Sequence, residues 1–271
     1  GRSFHSESAV VRESYLQSAP LTGRDREWSE LQGYVDRLME GTGAGLLIAG
    51  ESGVGKSRLL EELRTYALVH GARVVNGQSV SGGGAAYHVF QDAIRLLCLS
   101  VPLTDAQGAI LKALASDLPR LLERSLPDAP LIDAQAAQSR LHNTLEALLR
   151  ELDVPIVIIL EDLQWADTES LALLRRILTV AQTRPLLIAG TFRDDERPRL
   201  PEELPGTVVL KLNRLPSTQI ADLCLSMLGT FPRPELLEFM VRETEGNAFF
   251  IVEIMRALAE EAGGLGAVGV R

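Results

Sequence analysis

One stretch of eight residues has the composition and spacing of a phosphate-binding loop. It reads Gly50-Glu-Ser-Gly-Val-Gly-Lys-Ser57, with glycine at its first, fourth and sixth positions. Because glycine has no Cβ, the backbone can curve closely around an anion and direct its N–H groups towards it. Lys56 supplies a positive charge for the β- and γ-phosphates, and the Ser57 hydroxyl is a ligand for Mg²⁺. The stretch therefore predicts a Walker A motif that binds the phosphates of a nucleotide.

The segments on either side of this loop support the prediction. The apolar run 46–49 reads as a short buried strand, and apolar residues recur at helical spacing after the loop, at Leu59, Leu60, Leu63 and Ala67. A strand, a glycine-rich loop and a helix whose N-terminal end faces the anion form the arrangement that the motif requires. The alternative is a flexible glycine turn that holds a lysine by chance.

Two acidic residues form the second candidate group. The apolar run 156–160 predicts a strand that is buried on both faces, and Glu161 and Asp162 follow it directly. Hydrolysis of a phosphoanhydride needs a carboxylate that holds Mg²⁺ and a group that orients the attacking water. We assign the metal role to Glu161 and the water-orienting role to Asp162, as in a Walker B motif. The alternative is a pair of solvated acids that cap the strand.

A third predicted strand end carries an arginine. The run 185–191 reads as another buried strand, and Arg193 follows it. Since ligands bind beyond the carboxyl ends of parallel strands, a guanidinium there could contact the γ-phosphate and report its presence. Arg193 could equally form a surface ion pair with Asp194, Asp195 or Glu196, so both interpretations stay open.

The order of strand and helix patterns predicts the fold class. Strands alternate with helices from residue 46 to 212, which indicates a parallel sheet covered by helices on both faces. From residue 214 onward only helical patterns occur, near 217–228, 234–244 and 248–262. We therefore predict four parts: a linker at 1–19, an α/β domain at 20–213, a helical domain at 214–262 and a flexible tail at 263–271.

Composition is that of an ordinary globular protein. With 271 residues, 46% of them hydrophobic, the chain is long enough for one large or two small domains. A net charge of −9 argues against indiscriminate binding to DNA or membranes, and no apolar run approaches a membrane span. Cys98 and Cys224 match no metal-binding spacing, so we expect buried free thiols and a cytoplasmic protein. Because the chain begins at Gly1 without an initiator Met, we expect a fragment of a longer protein.

Five segments together resemble the ATPase module of the STAND class of signal-transduction ATPases, which is close to the AAA+ ATPases. They are Thr22-Gly-Arg-Asp-Arg-Glu27, the Walker A loop, 160–167, 190–196 and Glu245-Gly-Asn-Ala-Phe-Phe250. The resemblance covers residues 20–262. It is nearest to the bacterial versions in large LuxR-type transcription regulators and in some multidomain kinases and cyclases.

This resemblance implies a P-loop NTPase fold, an α/β/α sandwich with strand order 5-1-4-3-2 and a helical lid. It implies that Gly23 and Arg24 lie against the adenine end of the nucleotide, and that the turn containing Asn247 closes on it. Ala248 stands where the family usually has proline. The other expected contacts to ATP or ADP lie in the Walker A loop, at Gly50, Ser52, Gly53, Val54, Gly55, Lys56, Ser57 and Arg58.

The combined hypothesis is an ATP-binding and slowly hydrolysing regulatory switch within a larger bacterial signalling or transcription-regulatory protein. Its expected partners are ATP, Mg²⁺, flanking domains of the same polypeptide and further copies assembled by nucleotide, but neither membranes nor directly bound nucleic acid. Two alternatives stay open: a scaffold that holds nucleotide without hydrolysing it, and an origin-binding or DNA-remodelling AAA+ ATPase.

Overall fold

The computed structural model of the chain describes residues 21–82 and 85–262. The predicted linker at 1–19 and the predicted tail at 263–271 lie outside the described residues. The described residues form two compact units. The sheet unit comprises 29–51 and 59–212, and the helical unit comprises 21–28, 52–58 and 213–262. Most of the Walker A loop thus groups with the residues after 212, and the predicted domain limits stay predictions.

Five parallel strands form the sheet: β1 Ala44–Ala49, β2 Arg73–Gln78, β3 Ile156–Glu161, β4 Leu186–Phe192 and β5 Thr207–Lys211. Their spatial order is β2-β3-β4-β1-β5, which confirms the predicted order of 5-1-4-3-2. Parallel neighbours cannot be joined by a tight hairpin, so the chain crosses over between them through helical segments.

Helices occupy most of the remaining described chain. They are α1 Asp25–Met39, α2 Lys56–Val69, α3 Gln91–Ser100, α4 Asp105–Leu111, α5 Leu118–Leu121, α6 Ala134–Arg150, α7 Thr168–Ala181, α8 Leu200–Glu203, α9 Ser217–Leu228, α10 Pro234–Thr244 and α11 Ala248–Ala262. Two short 3₁₀ helices span His88–Phe90 and Leu163–Trp165. Within 21–82 and 85–262, no helix combines the length and apolar character needed to cross a membrane.

The central strands carry the core of the sheet unit. Every residue of β4 is buried, and so is every residue of β3 except its last. This is the burial expected of continuous apolar runs in a parallel sheet covered on both faces. The register pairs Leu160 with Gly190 and Ala49 with Phe192. The carboxyl ends of β3, β4 and β1 therefore meet at one edge of the sheet.

Helices α9, α10 and α11 confirm the helical patterns predicted after residue 214. They form an apolar core within the helical unit. Helices α9, α10 and α11 contribute buried side chains, among them Ile220, Cys224, Met240, Ile251 and Met255. Cys224 is a buried free thiol, as Cys98 is in the sheet unit. Burial raises the pKa of Cys224 to about 11 and that of Cys98 to about 12, so both stay protonated near neutral pH.

Gly43 provides a test of the sheet packing. A Cβ at this position would lie 2.3 Å from the carbonyl oxygens of Ala181 and Arg184 and 2.4 Å from that of Leu186. Because backbone carbonyls cannot move aside cheaply, we expect Gly43→Ala to lower the free energy of unfolding by about 1–3 kcal/mol. Urea unfolding followed by circular dichroism measures this change.

The matched control for this substitution is Gly33→Ala in α1. A Cβ at Gly33 would lie 3.4 Å from the mobile end of Arg37, its nearest neighbour. Alanine favours helix over glycine by up to about 1 kcal/mol, so the control should be as stable as the wild type or more so. An unchanged urea midpoint for Gly43→Ala would contradict the described packing before β1.

Candidate functional site

The Walker A loop has backbone angles that require its glycines. The φ angle is 153° at Gly50, 79° at Gly53 and 104° at Gly55. Residues with a Cβ rarely adopt these values. Helix α2 begins at Lys56, a residue that is only 8% exposed, and Ser57 follows as an exposed residue. A lysine and a hydroxyl thus stand at a helix N-terminus, where backbone N–H groups favour an anion.

Gly53 and Gly55 differ in the space that surrounds them. A Cβ at Gly53 would lie 2.6 Å from Oδ1 of Asn247, so this position needs glycine for space as well as for conformation. A Cβ at Gly55 would meet no atom of the described residues within 4 Å, so among them it is the φ angle that demands glycine there. Binding of nucleotide phosphates by this curved backbone stays a prediction.

Arg24 holds the loop through a carbonyl oxygen. Its guanidinium donates from one nitrogen to the carbonyl oxygens of Val54, at 2.9 Å, and Asn213, at 2.6 Å. A second nitrogen pairs with Glu27 at 3.2 Å. Arg24 is only 7% exposed, and this burial lowers its pKa while Glu27 opposes the shift. The guanidinium thus contacts the loop itself, and the adenine contact stays a prediction.

The turn at Asn247 holds two further loop carbonyls. Nδ2 of Asn247 donates to the carbonyl oxygen of Ser52 at 2.9 Å. The backbone N–H of Phe249 donates to the carbonyl oxygen of Gly53 at 2.9 Å and to Oδ1 of Asn247 at 3.1 Å. Gly246 has a φ of 81° in this turn. Ser52, Gly53 and Val54 therefore each have their carbonyl oxygen bound from outside the loop.

Two other predicted contacts lie in the helical unit. Gly23 has a φ of 75°, and a Cβ there would lie 2.9 Å from Cβ of Gln219. Arg58 is half-buried in the first turn of α2. Position 23 therefore needs glycine both for its φ angle and for the close approach of Gln219. The nucleotide contacts of Gly23 and Arg58 stay predictions.

The acidic pair stands at the carboxyl end of β3 in the sheet unit. Glu161 is the last residue of the strand, and Asp162 follows with a left-handed φ of 57°. Oδ2 of Asp162 accepts from Nε2 of Gln78 at 3.0 Å, and Oδ1 accepts from Nε2 of Gln164 at 3.1 Å. The Asp162 N–H donates to Oγ1 of Thr191 at 3.2 Å. The carboxylate of Asp162 is thus fixed in direction by two amides.

Arg193 forms a surface cluster in the sheet unit. Its guanidinium pairs with Glu196 at 2.6 Å and lies 5.1 Å from the ring centre of Trp165. Nε1 of Trp165 donates to the same carboxylate at 3.0 Å, and the Arg193 N–H donates to Oε1 of Gln164 at 3.1 Å. The surface pairing with Glu196 is therefore present in the structure. Contact with a γ-phosphate stays a prediction that requires the guanidinium to leave Glu196.

Gln78, Gln164 and Thr191 are polar partners of Asp162 that the sequence did not single out. Strand β2 ends at Gln78, whose register partner is Glu161. A polar residue at the last position of a strand next to an acidic strand end is the signal that would have identified Gln78.

The predicted site residues divide between the two units. The sheet unit contains Gly50, Glu161, Asp162 and Arg193, and the helical unit contains Gly23, Arg24, 52–58 and Asn247. Among the described residues, no group of three or more His, Cys, Asp or Glu side chains is placed to hold a metal ion. The hydroxyl of Ser57 and the carboxylate of Glu161 are oxygen ligands of the kind that Mg²⁺ prefers, together with phosphates and water. Their joint role as metal ligands stays a prediction.

Several solved structures have a fold similar to that of this chain. The Cdc6p protein of Pyrobaculum aerophilum has a TM-score of 0.54 at 15% identity, over 92% of this chain and 64% of that chain. The Orc1 protein of Aeropyrum pernix, solved in complex with DNA, has a TM-score of 0.54 at 17% identity, over 91% and 62%. Domain III of Thermotoga maritima DnaA has a TM-score of 0.52 at 12% identity, over 92% and 88%. At these identities the likeness shows the fold alone.

Sequence comparison supplies the family. An uncharacterised protein of Rhizobium meliloti (strain 1021) is 27% identical over 196 residues, which are 64% of this chain. The matched part is 18% of that relative's length. A family model for the AAA ATPase domain matches residues 20–189. Since that match covers more than half of the sequence, the chain belongs to the AAA ATPase domain family.

Proposed function

We propose that the chain is an ATP-binding and slowly hydrolysing module that serves as a regulatory switch within a larger bacterial signal-transduction or transcription-regulatory protein. The observation that carries this proposal is the conformation of the Walker A loop, whose glycines take positive φ angles just before Lys56 at the start of α2. ATP and ADP favour different arrangements of the neighbouring domains, so the bound nucleotide sets the output.

The binding step uses the loop and the start of α2. Lys56 attracts the β- and γ-phosphates, and the backbone N–H groups of the loop bind their oxygens. The family resemblance implies that Gly23, Arg24 and Asn247 lie at the adenine end of the nucleotide, but the contacts of Arg24 and Asn247 with loop carbonyls favour a different role for these two residues. Burial of Lys56 supports the binding role, because a charge removed from water gains more from an anionic partner.

The hydrolytic step uses the two acids at the carboxyl end of β3. Ser57 and Glu161 would each supply an oxygen ligand to Mg²⁺, which would neutralise charge on the phosphates. Asp162 orients the attacking water, and the amides of Gln78 and Gln164 support this role because they fix its carboxylate. Arg193 senses the γ-phosphate. Its ion pair with Glu196 supports slow turnover, since the guanidinium must first exchange that partner.

A DNA-remodelling ATPase is the second candidate. The fold likeness to the Orc1 protein that was solved in complex with DNA favours it. The net charge of −9 counts against broad contact with a polyanion. Stimulation of phosphate release by double-stranded DNA would favour this candidate over a switch controlled by flanking domains.

Lys56→Ala tests the binding role of the loop. We expect the variant to bind Mg²⁺-ATP about a hundredfold more weakly, because a buried charged partner of the phosphates is removed. Isothermal titration calorimetry measures the dissociation constant. Lys112→Ala is the matched control, since Lys112 pairs with exposed Asp128 in the sheet unit and should bind ATP as the wild type does. Equal affinities for both variants would overturn the Walker A assignment.

Asp162→Asn and Glu161→Gln test the division of roles between the two acids. We expect Asp162→Asn to keep ATP affinity and to slow phosphate release by about a hundredfold or more. A neutral amide accepts a hydrogen bond from the attacking water more weakly than a carboxylate does, and it cannot take up the proton. Glu161→Gln should raise the Mg²⁺ concentration needed for half-maximal turnover. Asp195→Asn, on an exposed neighbouring carboxylate, is the control.

The opposite pattern would reverse these assignments. If Glu161→Gln alone stops turnover while Asp162→Asn has no effect, Glu161 is the water-orienting residue. If wild-type protein binds ATP but releases no phosphate, the chain is a nucleotide-holding scaffold and not an ATPase.

A further inference from the structure

We propose that Asn247 and Arg24 are positioning residues that orient the phosphate loop through its carbonyl oxygens. The carbonyl oxygens of Ser52, Gly53 and Val54 accept, in turn, from Nδ2 of Asn247, from the Phe249 N–H and from the guanidinium of Arg24. Three successive peptide groups are therefore held from outside the loop. This inference rests on the proposed function, since it assumes that the loop binds phosphates.

Because the peptide group is planar, contacts that hold the carbonyl oxygens also fix the direction of the N–H groups. A trans peptide is planar, so its N–H points opposite to its C=O. The carbonyl of Ser52 shares a peptide with the N–H of Gly53, and the same holds for the next two pairs. Holding the three carbonyls therefore directs the N–H groups of Gly53, Val54 and Gly55 away from Asn247, Phe249 and Arg24. These N–H groups are the ones that a phosphate would bind.

The loop needs such contacts because of its glycines. Gly53 and Gly55 permit positive and negative φ with similar ease, so the peptides between them can rotate at low cost. A ligand that binds one orientation loses affinity in proportion to the fraction of chains in another. Donors that hold the carbonyls raise the fraction of chains ready to bind phosphate.

The donors are themselves fixed. Asn247 is 5% exposed, and its own N–H donates to the carbonyl oxygen of Thr244 at 2.8 Å. The carbonyl oxygen of Gly246 accepts from the Leu215 N–H at 2.7 Å. Arg24 is anchored by Glu27 and by the carbonyl of Asn213. Asn247, Phe249 and Asn213 all belong to the segment after residue 212, so that segment supplies or anchors the donors that hold the loop.

Inorganic tripolyphosphate, which has no adenine, distinguishes a role of Asn247 in orienting the loop from a contact with adenine. If Asn247 contacts adenine, its loss weakens ATP and leaves inorganic tripolyphosphate unaffected. If Asn247 orients the loop, its loss weakens both ligands by a similar factor. Asn247→Ala removes the Nδ2 donor without adding charge near the phosphates, and Asn143→Ala is the matched control. Asn143 is exposed in the sheet unit and accepts from Arg176 at 2.8 Å.

The experiment measures dissociation constants of the full chain for ATP and for tripolyphosphate, both with Mg²⁺, by isothermal titration calorimetry. We expect Asn247→Ala to weaken both about tenfold, as loss of one partly buried hydrogen bond predicts, with unchanged binding stoichiometry. Asn143→Ala should match the wild type. A purely structural defect would lower the stoichiometry and leave the dissociation constants unchanged.

Arg24→Lys gives an independent second variant that keeps the charge. A single ammonium cannot reproduce the planar guanidinium that reaches Val54, Asn213 and Glu27 together, so both ligands should again weaken. Weaker ATP with unchanged tripolyphosphate in either variant would overturn the inference in favour of an adenine contact. Unchanged affinity for both ligands in both variants would also overturn it. Wild-type protein that binds neither ligand would instead refute the proposed function.

Discussion

The parallel pairing of β1, β4 and β3 is the constraint on which the arrangement of the sheet unit depends. Both faces of these strands are buried, so a slip of one residue would exchange the side chains of the two faces and disrupt their close packing. The register thereby brings the end of β3, with Glu161, and the end of β4, with Thr191, to one edge of the sheet. The hydrogen bond from the Asp162 N–H to Thr191 is a direct result of that pairing.

A different set of contacts shapes the phosphate loop. Glycine permits the positive φ angles of the loop but does not select them, because glycine accepts both signs of φ. Selection comes from Arg24 and Asn247, which bind loop carbonyls and lie within the same compact unit as 52–58. The residues proposed to bind phosphate and the acids proposed to act in hydrolysis thus owe their conformations to separate physical causes.

Much of the fold could be predicted from local sequence. Continuous apolar runs identified β3 and β4, and helical spacing identified the helices after residue 214. Both signals are local, so each can be read from a short stretch of sequence. The partners of Asp162 and of the loop could not be predicted in this way. Asn247 and Ser52 are 195 residues apart, and Gln78 and Asp162 are 84 apart. For Arg193 the sequence left two interpretations open, since either a phosphate or Glu196 satisfies a guanidinium.

Equilibrium binding of radiolabelled ATP to the purified chain, with Mg²⁺ and with unlabelled ADP or AMP as competitors, tests the central claim most directly. A loop that binds β- and γ-phosphates predicts saturable binding with a single class of sites, strong competition by ADP and weak competition by AMP, which lacks both phosphates. Absence of saturable binding would contradict the account. So would competition by AMP as strong as that by ADP, because the affinity would then come from the base and not from the phosphate loop.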